Sequence, residues 1–542
     1  MQDPIFYLVV ILYLAVTFLL GYLGWRQTRT AADYMVAGGQ VNGFLVALSY
    51  GSTFISTSAI VGFGGAAAAY GMSLLWLAAL NILVGIFIAF SLLGKRIRKM
   101  GANLGAHTFP ELMARRFDSR FIHAYAALII AVVMPLYAAA VMIGGARFLE
   151  QVLALDYTWA LVIFAFLVAV YVFYGGLRGV IYTDALQGGI MFLGMVILLV
   201  LTYVRLGGVV PAHTALSGLK SLVPASLAAK GHAGWTAMPL PGSELWYYVV
   251  TTLVLGVGIG VLAQPQLAVR FMTLRSVREL NRGLVIGGIF ILAMTGTAFV
   301  VGALSNVYFH QTAGKIALAM VTDPVTKTPN IDRIIPLYIN QALPDWFVYV
   351  FMLTLLAAAM STLSSQFHVI GTSVRDLYHL ALPGAPRERG MIAARVGVLL
   401  ALAVTLYLGF RLPVSIIALA TSIFFGLCAA SFLPTLLAAL YWPRATKGGV
   451  IAGMLAGSLA YGFMVLFVHQ KEAVIFGVAQ ALLGKPYIGS FPWNIIDPLV
   501  VALPASAVGL AVVSLVSRAL PGEHLRECYR GISGVGVPVR DG

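Results

Sequence analysis

Ser49-Tyr50-Gly51-Ser52-Thr53-Phe54-Ile55-Ser56-Thr57-Ser58, followed by Gly62-Phe63-Gly64-Gly65, lies inside the apolar run 44–70. Six Ser and Thr hydroxyls and then three glycines make a poor lipid-facing helix. They make a good unwound one, whose freed carbonyls can face a cation, because irregular backbone at membrane depth is tolerated only where it lines a cavity. The competing reading is a face of small residues that lets two helices approach closely. The decision matters because a second interruption follows: Gly256, Gly258 and Gly260 precede Gln264-Pro265-Gln266 in the run 245–269. Proline removes a ladder donor and clashes with the preceding turn, and glycine relaxes the helix.

Working outward, the rest of the chain sets these segments in a membrane. Of the 542 residues, 60% are hydrophobic and 10% charged, against roughly 25% charged in a soluble domain. A soluble globular enzyme, a disordered chain and a disulfide-rich secreted chain are excluded. Thirteen apolar runs are near the ~20 residues a spanning helix needs: 6–25, 44–70, 74–94, 122–144, 159–174, 180–203, 245–269, 284–308, 346–369, 391–410, 414–441, 448–469 and 495–516. The predicted fold class is an all-α polytopic membrane protein of about 13 transmembrane helices. The segment 473–483 is too short to span and reads as interfacial or re-entrant. The two interrupted runs are the second and the seventh, which suggests two five-helix repeats of opposite topology with binding at the midplane.

The first run has no basic flank before it and no small-residue cleavage site, so it reads as a retained span with its N-terminus outside and the C-terminus cytoplasmic. Alternation from there places 24 Lys and Arg residues inside and 10 outside, the positive-inside pattern. The net charge of +15 is thereby read as membrane orientation, and no nucleic-acid partner is expected. The long segments 205–244 and 310–345 fall outside and read as loops or lids, and the polar tail after Arg518 as flexible. Cys428 and Cys528 fall in different compartments, so no disulfide is expected. Phosphate-binding loops, metal-ligand spacings and nucleophile–base pairs are missing from the sequence, and no enzyme activity is expected.

Two further segments carry chemistry. In 346–369, Ala358, Ser361, Thr362 and Ser365 fall within about a 100° arc of a helix, with Ser364 about 60° beyond Ser361. Such a hydroxyl stripe can ligate a small hard cation, or each hydroxyl can bond back to its own i−4 carbonyl. Asp184, near the start of 180–203, is the one carboxylate placed inside an apolar run away from either set of loops. An intramembrane acid suggests a functional site, although an Asp in a first turn is also favoured by the helix dipole. Arg147 and Glu150 are spaced either as a vestibule anion site or as a surface ion pair.

At these residues the sequence resembles the solute:sodium symporter family, which includes proline, pantothenate, monocarboxylate, sialic acid and sugar carriers. The likeness runs from Asp33-Tyr34-Met35-Val36-Ala37-Gly38-Gly39 to the last run. Gly175-Gly176-Leu177-Arg178-Gly179-Val180-Ile181-Tyr182-Thr183-Asp184-Ala185-Leu186-Gln187 is its most specific part, and Ala357-Ala358-Ala359-Met360-Ser361-Thr362-Leu363-Ser364-Ser365 the next. The resemblance implies a leucine-transporter-like core of two inverted five-helix repeats. The organisation is then an extra helix and loop (1–41), the first repeat (42–204), an extracellular loop (205–244), the second repeat (245–441), two further helices (442–517) and a cytoplasmic tail (518–542). It implies a common sodium (Na+) site at the carbonyls of Ser52, Ile55 and Ala358 and the hydroxyls of Ser361 and Thr362. A second sodium site, present in some members, would use Asp184, Ser361, Ser364 and Ser365. Solute would bind near Ser56, Thr57, Ser58, Gln264 and Gln266.

The solute is less legible. The stretch 65–70 lacks the polar and acidic groups of sugar carriers. Phe54 stands where proline carriers have an acid, and Val257 and Val261 where they have aromatics. The stretches 54–65 and 144–150 resemble pantothenate and monocarboxylate carriers. The expected function is sodium-coupled import of a small carboxylate by alternating access, in the cell membrane. A proline or other amino-acid symporter is the alternative, and a transporter-like sensor or a channel the rival class. Oligomeric state is not legible.

Overall fold

The computed structural model describes residues 4–28, 30–172 and 176–534. Arg29, Gly175, the end of the 159–174 run and the tail residues 535–542 lie outside them. Among the described residues there is no strand, only two isolated bridges, and eleven helices are long and apolar enough to cross a membrane. The difference from thirteen arises at two runs. The first half of 44–70 is the 12-residue helix Gly43–Phe54, too short to span at 1.5 Å per residue, and its second half continues into the stretch Ser58–Leu104. The run 159–174 appears as the 16-residue helix Tyr157–Val172.

Both interruptions are real, and in each the break falls beside the glycines, not at them. Asn42 accepts from the Leu45 N–H at 3.0 Å and starts Gly43–Phe54, which ends where Ile55 turns extended (φ −92°, ψ 104°). Wide, π-type turns resume at Ser58–Gly62 and lead into the helix Phe63–Tyr70. The glycines stay helical and pack: a Cβ on Gly65 would lie 2.2 Å from the Ile331 carbonyl oxygen, and one on Gly302 2.1 Å from that of Gly64. The unwound and small-residue readings therefore each describe one half of the segment. In the second run the break is at Gln264 (φ −74°, ψ 116°), with Pro265 opening the helix Pro265–Met272. Here too Gly258 and Gly260 sit against Leu80 and Phe425 with no room for a side chain. One end of each broken run is tied to the other, since the Val41 N–H donates to Thr273 and the Arg275 N–H to Val41.

Asp345–Ala381 and Ile417–Tyr441 form the centre, each 83% buried over its most apolar window, whereas the first span, at 17%, lies at the edge. On the long-loop side, the segment 205–244 is pinned across the end of Phe63–Tyr70. Trp235 is 1% exposed, its indole N–H donates to Ala68, and its carbonyl accepts from Met72. Gly71, at φ 77°, ends the helix there.

The tail corrects the expectation of flexibility. Helix Gly522–Cys528 buries Leu525, Cys528 and Tyr529. Arg116, itself fully buried, donates to the Tyr529 hydroxyl at 3.0 Å, and that hydroxyl donates to Ala439 at 2.7 Å. Asn103 donates to the carbonyls of Cys528 and Arg530. A buried guanidinium needs acceptors, and the tail supplies one. Both cysteines are free, as expected.

Candidate functional site

The break at Ile55 leaves the last carbonyls of Gly43–Phe54 without intrahelical donors, and the hydroxyl stripe of Asp345–Ala381 faces them. Ser361 Oγ lies 2.9 Å from the Ser52 carbonyl oxygen and 3.2 Å from that of Ala358. Thr362 Oγ1 lies 3.3 Å from the carbonyl oxygens of both Ser52 and Thr53. Ser52, Ile55, Ala358, Ser361 and Thr362 are all buried. This is a cluster of neutral, hard oxygens at a helix break, the donor type that suits a small hard cation.

One turn further along the stripe, the arrangement is governed by a residue the sequence reading had assigned to a cytoplasmic loop. Arg270, on Pro265–Met272, is fully buried, and its Nη2 lies 3.0 Å from Asp184 Oδ2. The same Nη2 donates to Thr53 Oγ1 at 3.2 Å and to Ser365 Oγ. Asp184 Oδ2 also accepts from Ser49 at 2.7 Å and from Thr53 at 3.3 Å. The guanidinium thus stands between Asp184 and Ser365. Ser364 Oγ bonds back to the Ser361 carbonyl at 3.0 Å, the locally satisfied arrangement. Asp184 is no isolated charge in the membrane interior but half of a buried ion pair. Six residues past the break at Gln264, Arg270 lies only about 9 Å along a helix from it, and that distance could have raised it as a partner for Asp184.

Between the breaks lies a small cavity of about 20 Å³ lined by Phe54, Ile55, Ser56, Asn81, Tyr137 and Phe425, with Phe63, Val257, Phe299 and Thr421 among the others. It is large enough for about one water. Of the five residues expected near solute, only Ser56 lines it. Thr57 donates to Val141 at 2.6 Å, Ser58 pairs with Ser56 at 2.6 Å, Gln264 caps the Gly260 carbonyl at 3.0 Å, and Gln266 bonds to Gln264. The polarity at the breaks is thus largely consumed in closing them. Asn81, Tyr137 and Thr421 were missed. Asn81 was discoverable as an amide in the apolar run 74–94, and its Oδ1 has no partner among the described residues. Arg147 and Glu150 form an ion pair at 2.9 Å. No group of three or more metal-ligating His, Cys, Asp or Glu side chains occurs among the described residues.

Comparison with known proteins shows the family and the fold. The profile of the sodium:solute symporter family matches residues 34–457. The sodium/pantothenate symporter of Haemophilus influenzae is 29% identical over 499 residues, covering 88% of this chain and 95% of that protein. The high-affinity proline transporter PutP of Bacillus subtilis is 28% identical over 453 residues, covering 81% and 88%. Among solved structures, a sodium-coupled sialic acid symporter in a substrate-bound outward-open state superposes with a TM-score of 0.73 at 20% identity, over 95% of this chain and 98% of that one. Mhp1, a nucleobase-cation-symport-1 family transporter, superposes at 0.52 with 13% identity, over 92% and 99%. The fold, with its two broken helices, is that of the leucine-transporter-like carriers, and the chain belongs to the sodium:solute symporter family.

Proposed function

We propose that this symporter, a carrier rather than an enzyme, imports a small organic carboxylate with sodium across the cell membrane. The long loops 205–244 and 310–345 then face outside, and the tail from 518 faces the cytoplasm. Sodium is held by the carbonyls of Ser52, Ile55 and Ala358 and the hydroxyls of Ser361 and Thr362. The observation that carries this reading is the convergence of the Ser361 and Thr362 hydroxyls on the Ser52 carbonyl freed by the helix break. Sodium at that place bridges the broken run and the central helix Asp345–Ala381, so its arrival and departure change how the two pack. The segments 42–204 and 245–441 act as the two inverted repeats.

The cavity supports an anion over a zwitterion. Its lining contains no charged side chain. The helix that restarts at Ser58–Gly62 begins at the cavity, where Ser56 and Ala59 line it. Its first N–H groups are taken by Ser56, but the positive end of its dipole lies there, and sodium adds a further positive charge. A carboxylate is stabilised by both, whereas an ammonium group meets no formal negative charge there. This argues against the amino-acid reading, although proline transporters are among the similar proteins. At about 20 Å³ the cavity must open around Phe54 and Phe425 to admit a solute, as alternating access requires.

A second sodium at Asp184, Ser361, Ser364 and Ser365 requires Arg270 to leave Asp184. While the pair holds, one sodium accompanies one monoanion. The cycle is then electroneutral, and a tenfold sodium gradient supplies about 1.4 kcal/mol. With two sodiums, one net charge crosses as well, adding about 2.3 kcal/mol per 100 mV. Sodium-dependent counterflow of labelled pantothenate, monocarboxylates and proline by purified protein in liposomes tests the function. Counterflow of carboxylates alone is expected. Counterflow of proline and not of carboxylates refutes the solute class, and sodium-activated flux without counterflow refutes a carrier.

A further inference from the structure

On the long-loop side a second, larger cavity of about 440 Å³ opens above the midplane. Three elements run from one cavity to the other, each contributing a residue to both. The Phe63–Tyr70 helix places Phe63 in the inner cavity and Tyr70 in the outer. The second broken run places Val257 in the inner and Tyr248 in the outer, and Ile417–Tyr441 places Thr421 in the inner and Leu419 in the outer. Seven residues of helix separate Phe63 from Tyr70, so the outer cavity lies roughly 10 Å along the same path.

Its one charged lining residue is Lys471, on the short helix Gln470–Phe476, which runs into the segment 473–483 that reads as interfacial or re-entrant. The Lys471 ammonium lies 3.3 Å from the centroid of the Tyr248 ring, and the Tyr70 ring stands edge-on to Tyr248 at 5.8 Å. No carboxylate is in ion-pair distance of Lys471 among the described residues. Lys230 and Glu244, which act on it electrostatically, are paired with each other at 2.6 Å, and the adjacent Glu472 is bonded to His469. Lys471 is therefore the charged group of this lining, without an ion-pair partner among the described residues. Lys471 is open to the cavity yet walled by protein, and loss of bulk solvation, with the Lys230 charge, pulls its amine down to about 7 against the opposing pull of Glu244. An ammonium held by an aromatic face, with no carboxylate in ion-pair distance, gains from an anion that reaches it.

We infer that Lys471, with the ring faces of Tyr70 and Tyr248, forms an outer capture site for the carboxylate and apolar body of the transported solute, occupied before the solute enters the midplane cavity. This rests on the reading of the solute as a carboxylate. It adds to that reading a separate site, with a function of its own in concentrating anions at the entrance.

The test uses the full-length protein in liposomes and the anionic amine reagent trinitrobenzenesulfonate, with labelling of each lysine followed by peptide mass spectrometry. Pantothenate and propionate are expected to slow labelling of Lys471 at least threefold while leaving Lys220 and Lys315 unchanged. The neutral analogues pantothenol and propionamide are expected to leave it unaltered. Equal protection by the neutral analogues, or no protection by either carboxylate, overturns the site. In uptake assays of whichever solute shows counterflow, Lys471→Gln is expected to raise KM about tenfold with less than a twofold change in kcat, and Lys471→Arg to restore it. A fall in kcat at constant KM assigns Lys471 a structural role and overturns capture. The failures are distinguishable: counterflow of proline and not of carboxylates defeats the solute class whatever Lys471 does, whereas unprotected Lys471 in a protein that counterflows carboxylates defeats only the outer site.

Discussion

Asp184→Asn, Arg270→Gln and the double variant together test the chemistry at the centre of the molecule. The two charged atoms are 3.0 Å apart and neither side chain has measurable exposure. At an effective dielectric near 20 the attraction is about 5 kcal/mol, and breaking a buried pair by removing one partner typically costs about 3–5 kcal/mol. The two single variants are not equivalent. Arg270 cannot shed its proton, so Asp184→Asn strands a full positive charge among Thr53, Ser365 and the helix walls. In Arg270→Gln the remaining carboxylate can take up a proton, and Ser49 and Thr53 still donate to it, so the loss is smaller. The double variant leaves two neutral amides and no stranded charge, and is expected to be more stable than Asp184→Asn alone. The assay is denaturation of the purified proteins by a graded detergent titration, read as a double-mutant cycle with an expected coupling of about 3 kcal/mol. Additive losses, with a coupling below about 0.5 kcal/mol, would refute the ion pair as the organising interaction. In the same variants, Asp184→Asn is expected to lower the sodium Hill slope of uptake towards one. An unchanged slope would remove Asp184 from any second sodium site.

Ser361→Ala and Thr362→Ala are each expected to raise half-saturating sodium about tenfold or more, since a contact to a charge is worth about 1.5–3 kcal/mol; unchanged sodium activation of uptake would place the ion elsewhere. Tyr529→Phe removes an acceptor from the buried Arg116 guanidinium and should cost about 1–3 kcal/mol, measured by the same denaturation, while a surface substitution such as Glu523→Gln changes nothing. Asp332, buried in the loop ahead of Asp345–Ala381, is pushed up to about 7 mainly by loss of water, against the Arg147 charge and nearby backbone N–H groups. A carboxyl group raised in the folded state binds its proton more tightly there than when unfolded. Its contribution is therefore fullest below the ordinary carboxylate range and fades as pH rises to about 7. Thermal midpoints measured from pH 4 to 8 should show a decline in the wild type relative to Asp332→Asn, and parallel profiles would contradict it.

Much of the fold was legible because the membrane simplifies the physics. With no water in the hydrocarbon, apolar runs must become helices, and positive loops must collect on one side. The breaks were legible from hydroxyl and Gln-Pro-Gln clusters that a lipid-facing helix would not carry. Their position was not, because glycine can either loosen a helix or let it pack, and only the neighbours decide. At Gly65 the neighbour is the Ile331 carbonyl and at Gly260 it is Phe425, so both stay helical. The solute-lining residues were least legible. Thr57, Ser58, Gln264 and Gln266 have suitable chemistry but spend most of it on Val141, Ser56, Gly260 and each other, Gln266 Oε1 alone among these contacts being left without a partner in the described residues. The tail was misread for the same reason: its polar composition does not disclose that Arg116 lies buried beneath it.

By itself, the order of residues determined the class of molecule, the two interrupted runs and the hydroxyl stripe at Ser361 and Thr362, since each depends on local composition against a uniform apolar solvent. Only the tertiary structure decided that Arg270 belongs to Asp184 rather than to a loop, that Asn81 and Tyr137 line the central cavity, and that Lys471 faces the entrance above it. Those are contacts between segments far apart in the chain. Whether a charge or an amide is paired, spent or free there depends on what the fold brings to it.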